Sequence, residues 1–115
     1  MTDGTLIVLS TAPTVEEAAS IGRRLVEEHL AACVTVLPGA RSVFFWEGRV
    51  QEADEALLVI KTRSERYDDL ERRIRDLHSY SVPEVLALRV ASGSTAYTAW
   101  VRETVVSVER GEDSG

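Results

Sequence analysis

Three side chains in this sequence could bind a transition metal or act as a nucleophile. They are the single cysteine, Cys33, and the two histidines, His29 and His78. Thiolate sulfur and imidazole nitrogen are ligands that suit copper and zinc. His29 and Cys33 have a spacing that would place them on one face of a continuous helix, but a helix is predicted to end near Leu30 and a strand to begin at Cys33. We therefore interpret His29 as a solvent-exposed histidine.

His78 opens the stretch "HSYSVPEVLAL", which joins a predicted helix to a predicted strand. At a helix end, exposed carbonyl groups favour a cationic imidazole. His78 either binds a ligand or caps the helix before a turn that Pro83 makes rigid. Cys33 is either a small buried residue at the start of a strand or a metal-binding or reactive thiol. A Cys33–His78 nucleophile pair would need a third, orienting residue; none is visible, and an enzyme is not expected.

Lys61 is the only lysine among 13 basic residues. It ends the apolar run of "EALLVIKT" and shares a strand face with Leu57 and Val59. A lysine on such a face needs a carboxylate, a phosphate or a route to water. We predict either an ion pair between subunits, with Glu84 or Glu47 as the partner, or a contact with an anionic ligand.

Composition narrows the classes of partner. The net charge of −6 and the isoelectric point near 4.9 argue against binding to nucleic acid or to an anionic membrane surface. The apolar run at residues 6–9 is too short for a signal peptide or a membrane span. A single cysteine cannot form a disulfide within the chain, which predicts a reducing, cytoplasmic location.

Hydrophobic periodicity predicts four strands and three helices. The strands are residues 5–10, residues 33–46 with a bulge or bend at Pro38-Gly39, a strand that returns from a turn at Glu47-Gly48 to residue 62, and residues 84–90. The helices are residues 15–30 with a Thr14–Glu17 capping box, a second helix capped by Ser64, and a third opened by Gly93 and Ser94. This order is that of the split βαβ, ferredoxin-like α+β fold with an added C-terminal helix. Residues 1–108 are predicted to form one domain and residues 109–115 a disordered polar tail.

Several predicted strands are apolar on both faces. Residues 6–9, 57–60 and 85–88 show no alternation of apolar and polar side chains. A sheet of such strands needs cover on both faces. The two crossover helices cover one face and the third helix covers part of the other. We therefore expect a homo-oligomer in which a partner subunit covers the remainder.

Four segments give the sequence its resemblance to a known family. They are "LVEEHLAACVTVLPGARSVFFWEG", "EALLVIKT", "HSYSVPEVLAL" and "GSTAYTAW", in this order along the chain. Together they closely resemble the CutA family, the divalent-cation tolerance proteins. The resemblance implies a homotrimer related in architecture to the PII signalling proteins, with long β-hairpin arms. It also implies a link to divalent metal tolerance, with copper binding as one proposal, but no agreed enzymatic reaction.

The resemblance also assigns candidate site residues. Cys33, His78 and Glu84 are the candidate metal ligands, and Lys61, Trp46 and Tyr80 the candidate ligand-binding residues. No tightly bound cofactor is expected, only weak, exchangeable copper or another divalent cation at a subunit boundary. The alternative is a PII-like sensor that binds a small anionic metabolite through Lys61 and nearby arginines. The family pattern usually has proline after this histidine, where this chain has Ser79; its loss restores a backbone N–H and loosens the backbone.

Overall fold

The computed structural model describes residues 3–105, so the predicted tail at 109–115 lies outside the described residues. The elements are β1 (Thr5–Ala12), α1 (Val15–Glu27), β2 (Cys33–Trp46), β3 (Arg49–Arg63), a 3₁₀ turn (Ser64–Arg66), α2 (Tyr67–Leu77), β4 (Leu86–Arg89) and α3 (Thr95–Thr104). Their order confirms the predicted α+β architecture. The strands form one sheet in the order β2-β3-β1-β4, and all three pairings are antiparallel. This is the ferredoxin-like arrangement.

The main hydrophobic core lies between one face of the sheet and helices α1 and α2. Val8, Leu58 and Ile60 point from the strands, and Leu25 and Ile74 come from the two helices. All five side chains are almost fully buried. Burial of an aliphatic side chain of this size contributes about 1.5–3 kcal/mol. The core therefore fixes the two crossover helices on this face.

Strands β2 and β3 extend beyond the sheet as a long hairpin, which we call the arm. Their pairing shifts register between Leu37 and Ala40, where Gly39 has a φ of 79°. The arm closes at Glu47 and Gly48, whose φ values are 53° and 79°. Positive φ at both central residues is what a two-residue type I′ hairpin turn requires. The predicted bulge and turn are both confirmed, although the turn lacks the usual Asn-Gly or Asp-Gly pair.

Among residues 3–105, the second face of the sheet is covered at one end only. There Val101 and Val105 of α3 pack with Ala32, and Arg63 Nη1 donates to the carbonyl oxygens of Arg102 and Val105 at 2.9 and 3.3 Å. Beyond α3, cross-strand registers place the following side chains on one face: Cys33, Thr35, Leu37, Leu57, Val59, Lys61, Ile7, Leu9, Leu86 and Leu88. We call this set the uncovered face. Leu86 and Leu88 remain 58% and 52% exposed there.

Helix α1 ends three residues before the predicted limit, at Glu27. The chain leaves the helix through His29, which has a φ of 60°. The N–H of Leu30 donates to the carbonyl of Leu25, and the N–H of His29 to that of Val26, at 2.9 and 3.0 Å. This pair of bonds is a Schellman motif with histidine at the position that glycine usually takes. As predicted, the His29 side chain is exposed.

Two other boundaries differ from the prediction. Ser64 does not cap α2; it begins the 3₁₀ turn, its hydroxyl contacts the Glu65 carboxylate at 3.5 Å, and the helix starts at Tyr67 without a side-chain cap. Strand β4 spans four residues rather than the predicted 84–90. Within residues 3–105, no helix has the length and apolar character needed to cross a membrane.

Candidate functional site

Cys33 and Lys61 meet on the uncovered face. They are direct cross-strand partners on β2 and β3, and Lys61 Nζ lies 3.8 Å from Cys33 Sγ. The same ammonium group donates to Thr35 Oγ1 at 2.8 Å, and Thr35 Oγ1 lies 3.9 Å from the sulfur. Thr35 shares the face because it is two residues along the strand from Cys33. The sequence prediction that Lys61 projects from an apolar face is therefore confirmed, and within this chain its contacts are a hydroxyl and a thiol.

Tyr97 of α3 completes what we call the thiol–amine cluster, made of Cys33, Thr35, Lys61 and Tyr97. Burial raises the pKa of the Tyr97 phenol, and the neighbouring Cys33 sulfur raises that pKa further. The sulfur thus lies among an ammonium, a hydroxyl and a phenol, all able to donate. A thiolate can only accept hydrogen bonds, so these neighbours suit a sulfur that binds a metal or attacks an electrophile.

His78 lies in a second cluster, at the C-terminal end of α2, which we call the His78 junction. Its side chain is 0% exposed. Nε2 lies 2.7 Å from the carbonyl oxygen of Thr11, and Nδ1 lies 3.0 Å from the backbone nitrogen of Tyr80. A carbonyl only accepts and a backbone N–H only donates, so Nε2 carries the proton and Nδ1 accepts. Both ring nitrogens therefore have a backbone partner, and a metal would have to displace one of these bonds.

Ser79 anchors the junction to α1. Its backbone N–H and its hydroxyl both donate to the Glu17 carboxylate, each at 2.8 Å. Glu17 also places Oε2 3.6 Å from His78 Nδ1. Proline at position 79 could supply neither donor. Serine therefore ties this backbone to α1 through two hydrogen bonds that proline could not make.

Ser79→Pro is expected to lower the free energy of unfolding by about 1–2 kcal/mol, since two hydrogen bonds to a carboxylate are lost while proline restricts the unfolded chain. The expected loss of stability is small because the Glu17 side chain is 22% exposed and solvent screens its charge. Urea unfolding measures the change. Ser79→Ala, which keeps the N–H donor, should lose about half as much. Equal stability of Ser79→Pro and the unaltered chain would contradict this role of Ser79.

Tyr80 links the His78 junction to the base of the arm. Its hydroxyl donates to Glu55 Oε2 at 2.7 Å, and Ser42 Oγ donates to Glu55 Oε1 at 2.6 Å. Burial, followed by the hydrogen bond to Glu55, raises the pKa of Tyr80 to about 12. The phenol therefore stays protonated at neutral pH and acts as a donor. Its ring also packs on His78, with ring centroids 4.8 Å apart.

The six predicted site residues fall in separate places within one chain. Cys33 and Lys61 form one pair, and His78 and Tyr80 form another. His78 of the second pair contacts Thr11 of β1, which lies opposite Leu57 of β3. Leu57 and Lys61 are four residues apart on β3, so about 13 Å of strand separates the two pairs.

The other two candidates lie apart from both pairs. Trp46 lies at the tip of the arm, 49% exposed, and Glu84 is exposed between α2 and β4. Across residues 3–105, no group of three or more His, Cys, Asp or Glu side chains is placed to hold a metal ion. Any site that uses all three candidate metal ligands therefore has to draw on more than one subunit.

Several residues of these clusters were not predicted as site residues, among them Thr35, Glu17 and Tyr97. Strand alternation alone points to Thr35, because it follows Cys33 by two positions. Glu17 was predicted only as a member of the capping box, and its carboxylate instead accepts from Ser79. Nothing in the sequence connects Tyr97 with Cys33, because their proximity depends on how α3 packs on the sheet.

Comparison with known proteins identifies the family. The family model for the CutA1 divalent ion tolerance protein matches residues 6–104, nearly the whole described chain. The chain belongs to the CutA1 family. The predicted resemblance is thereby confirmed, and the family takes its name from divalent-cation tolerance rather than from a catalysed reaction.

Relatives of known name show how far the likeness extends. The divalent-cation tolerance protein CutA of Thermus thermophilus is 45% identical over 97 residues, which cover 84% of this chain and 94% of that protein. The chloroplastic protein CutA of Arabidopsis thaliana is 40% identical over 99 residues, covering 86% of this chain but 54% of the plant protein. This chain therefore spans about half the length of the plant relative.

Solved CutA structures share the fold. The crystal structure of CutA from Xylella fastidiosa superposes with a TM-score of 0.88 at 36% identity and covers 90% of this chain and 100% of that one. The Thermus thermophilus Cut A1 structure gives a TM-score of 0.87 at 43% identity, covering 89% and 99% respectively. The sheet order, the arm and the three helices described above are thus those of a CutA1 protein.

Proposed function

We propose that this CutA1 protein is a non-enzymatic homotrimer that acts in divalent-cation tolerance, in a reducing cytoplasm, and that binds ions or a small ligand at the seams between its subunits. One observation carries the proposal: the uncovered face is apolar, yet it holds the only cysteine and the only lysine of the chain. An apolar surface suited to burial by assembly that also carries a thiol and an amine supports a binding site at the seam between subunits.

Assembly is supported by the amount of apolar surface that one chain leaves exposed. On the uncovered face, Leu37 is 44% exposed and Leu86 58% exposed. On the arm, Phe45 is 71%, Val50 66% and Trp46 49% exposed. Contiguous apolar surface of this kind marks a protein–protein contact in soluble proteins. Packing of three sheet faces on one another would bury the apolar residues of the uncovered face. Arms that reach over neighbouring subunits would bury the apolar residues of the arm.

Cys33 is the leading metal ligand in this proposal. Its sulfur is half-buried on the uncovered face and lies among hydrogen-bond donors rather than in an apolar core. Both ring nitrogens of His78 are engaged, whereas the exposed Glu84 carboxylate is available to a neighbouring subunit. One soft donor from each subunit, with borrowed oxygen ligands, suits weak and exchangeable binding of copper or another divalent cation.

Metal titration tests this assignment. Isothermal titration of the unaltered protein with Cu(I), Cu(II) and Zn(II) should give a binding heat for copper. Cys33→Ser should weaken copper binding by at least about tenfold, because loss of a residue that only hydrogen-bonds to a metal ligand already lowers the affinity by that factor. His29→Asn, altered at the exposed histidine, is the matched control. Equal heats for Cys33→Ser and the unaltered protein would remove Cys33 from the site. Loss of the heat in His78→Gln alone would transfer the site to the His78 junction.

The alternative function is a PII-like sensor of a small anionic metabolite. Lys61 favours this function. Within residues 3–105 the partners of its ammonium group are a hydroxyl and a thiol, and no carboxylate forms an ion pair with it. A ligand for Lys61 should raise the thermal unfolding temperature in a concentration-dependent way. A screen of nucleotides and organic acids, repeated on Lys61→Met, measures it. A shift that persists in Lys61→Met would contradict a contact with Lys61.

A further inference from the structure

The only cysteine and the only lysine of the chain face each other. Cys33 and Lys61 are direct cross-strand partners, with Sγ and Nζ 3.8 Å apart. Both side chains are half-buried in the single chain, and the seams proposed above, which admit an ion or a small ligand, would admit a small solute to them. Side chains directly opposite each other in an antiparallel pair are close enough to react without a change in the backbone.

The choice of lysine at this position is unusual for this chain. Of its 13 basic residues, arginine occupies every position except position 61. Arginine would supply the same charge and more hydrogen bonds, but its guanidinium does not lose its proton in proteins and is not a nucleophile. A lysine amine can lose its proton and attack an electrophile. Only at the position opposite the thiol does the chain carry a basic residue with that capacity.

We propose that Cys33 and Lys61 are a redox modification site, in which a hydroperoxide oxidises the thiol and the lysine amine then captures the oxidised sulfur in a reversible sulfur–nitrogen bond. This assignment does not depend on metal binding or on the sensor function. The sulfur–nitrogen bond covalently joins β2 to β3 on the uncovered face of the sheet.

The first step is oxidation of the sulfur. The Cys33 sulfur attacks one oxygen of hydrogen peroxide, the O–O bond breaks, and the departing hydroxide leaves as water with the thiol proton. Sulfur is oxidised to sulfenic acid while one peroxide oxygen is reduced to water. Thr35 Oγ1 lies 3.9 Å and Lys61 Nζ 3.8 Å from the sulfur, and these hydrogen-bond donors stabilise the negative charge with which the attack begins.

The second step is capture by the amine. Lys61 gives one proton to solvent, its nitrogen attacks the sulfur, and the S–O bond breaks. The departing hydroxide takes a second proton from the nitrogen and leaves as water. One thiol, one amine and one peroxide thus yield one sulfenamide and two waters, as sulfenic acids do with nearby nitrogen. Two equivalents of a thiol reductant restore the cysteine and the amine and are themselves oxidised to a disulfide.

The capture also protects the sulfur. A sulfenic acid that is not captured is oxidised further to sulfinic acid, which ordinary thiols do not reduce. Lys61 therefore determines whether oxidation of Cys33 is reversible. Lys61→Arg is the matched variant, since it keeps the charge and removes the nucleophile.

Mass spectrometry of the peroxide-treated full chain tests the proposal. The unaltered protein should become lighter by two hydrogen atoms, dithiothreitol should reverse the change, and peptide mapping should find Cys33 joined to Lys61. Lys61→Arg and Lys61→Gln should instead become heavier by two oxygen atoms, and dimedone should trap their sulfenic acid. Cys33→Ser should not change. The second lysine variant and far-ultraviolet circular dichroism ensure that a folding defect in one variant does not decide the result.

Two outcomes would overturn the proposal. One is sulfinic acid formation at the same rate in the unaltered protein and in Lys61→Arg, with no linked peptide. The other is a linked peptide in which the amine is the N-terminus rather than Lys61.

Discussion

His78→Ala is expected to lower the free energy of unfolding by about 3–5 kcal/mol. The imidazole is fully buried, and its removal leaves the carbonyl of Thr11 and the N–H of Tyr80 without their partner. Each buried group left unsatisfied costs about 1–3 kcal/mol, and the cavity adds to that cost. Urea unfolding at one fixed protein concentration measures the change, because the stability of an oligomer depends on concentration.

The other histidine provides the control for this experiment. His29→Asn changes an exposed residue whose left-handed backbone asparagine tolerates. It removes one exposed hydrogen bond, between Nδ1 and the carbonyl oxygen of Thr104 at 3.2 Å, so the loss should stay within about 1 kcal/mol. A loss below about 1 kcal/mol in His78→Ala would show that the junction does not depend on the imidazole. His78 would then again be a candidate metal ligand and not a structural residue.

Leu88→Arg is expected to reduce the mass of the proposed trimer from three chains to one. Leu88 lies on the uncovered face in the same cross-strand row as Ile7, Lys61 and Cys33, and it is 52% exposed in the single chain. Within one subunit an arginine there remains in water. Between subunits it would be buried without a partner, which costs several kcal/mol at each of the three proposed seams.

Light scattering at micromolar concentration measures the change in mass, and circular dichroism confirms that the single chain is folded. Val15→Arg is the matched control, because Val15 is an exposed apolar residue of α1, on the layer that packs against the opposite face of the sheet. It should keep the mass of the unaltered protein. A three-chain mass for Leu88→Arg would exclude this face from the interface, and a single-chain mass for the unaltered protein would end the proposal of a trimer.

Local features of the fold were predictable because a few neighbouring residues determine them. Thr14 caps α1 by accepting the N–H of Glu17 at 3.0 Å, as its position before an acidic turn predicts. Pro38-Gly39 marks the bulge, and Glu47-Gly48 the turn of the arm. The failure at Ser64 has a local reason too: its hydroxyl contacts Glu65 instead of a helix N–H, and Ser64 begins a three-residue 3₁₀ turn that precedes α2.

The sequence by itself determined the order of the elements, the two-sided apolar strands and the family, because hydrophobic periodicity and ordered motifs are properties of the chain alone. Only the tertiary structure decided which side chains meet. Sheet register placed Lys61 opposite Cys33, 28 residues away, and the packing of α2 brought His78 to a carbonyl 67 residues earlier. Such contacts depend on how distant segments align, and a shift of one residue in register turns every side chain of a strand to the other face. No short stretch of sequence contains that information.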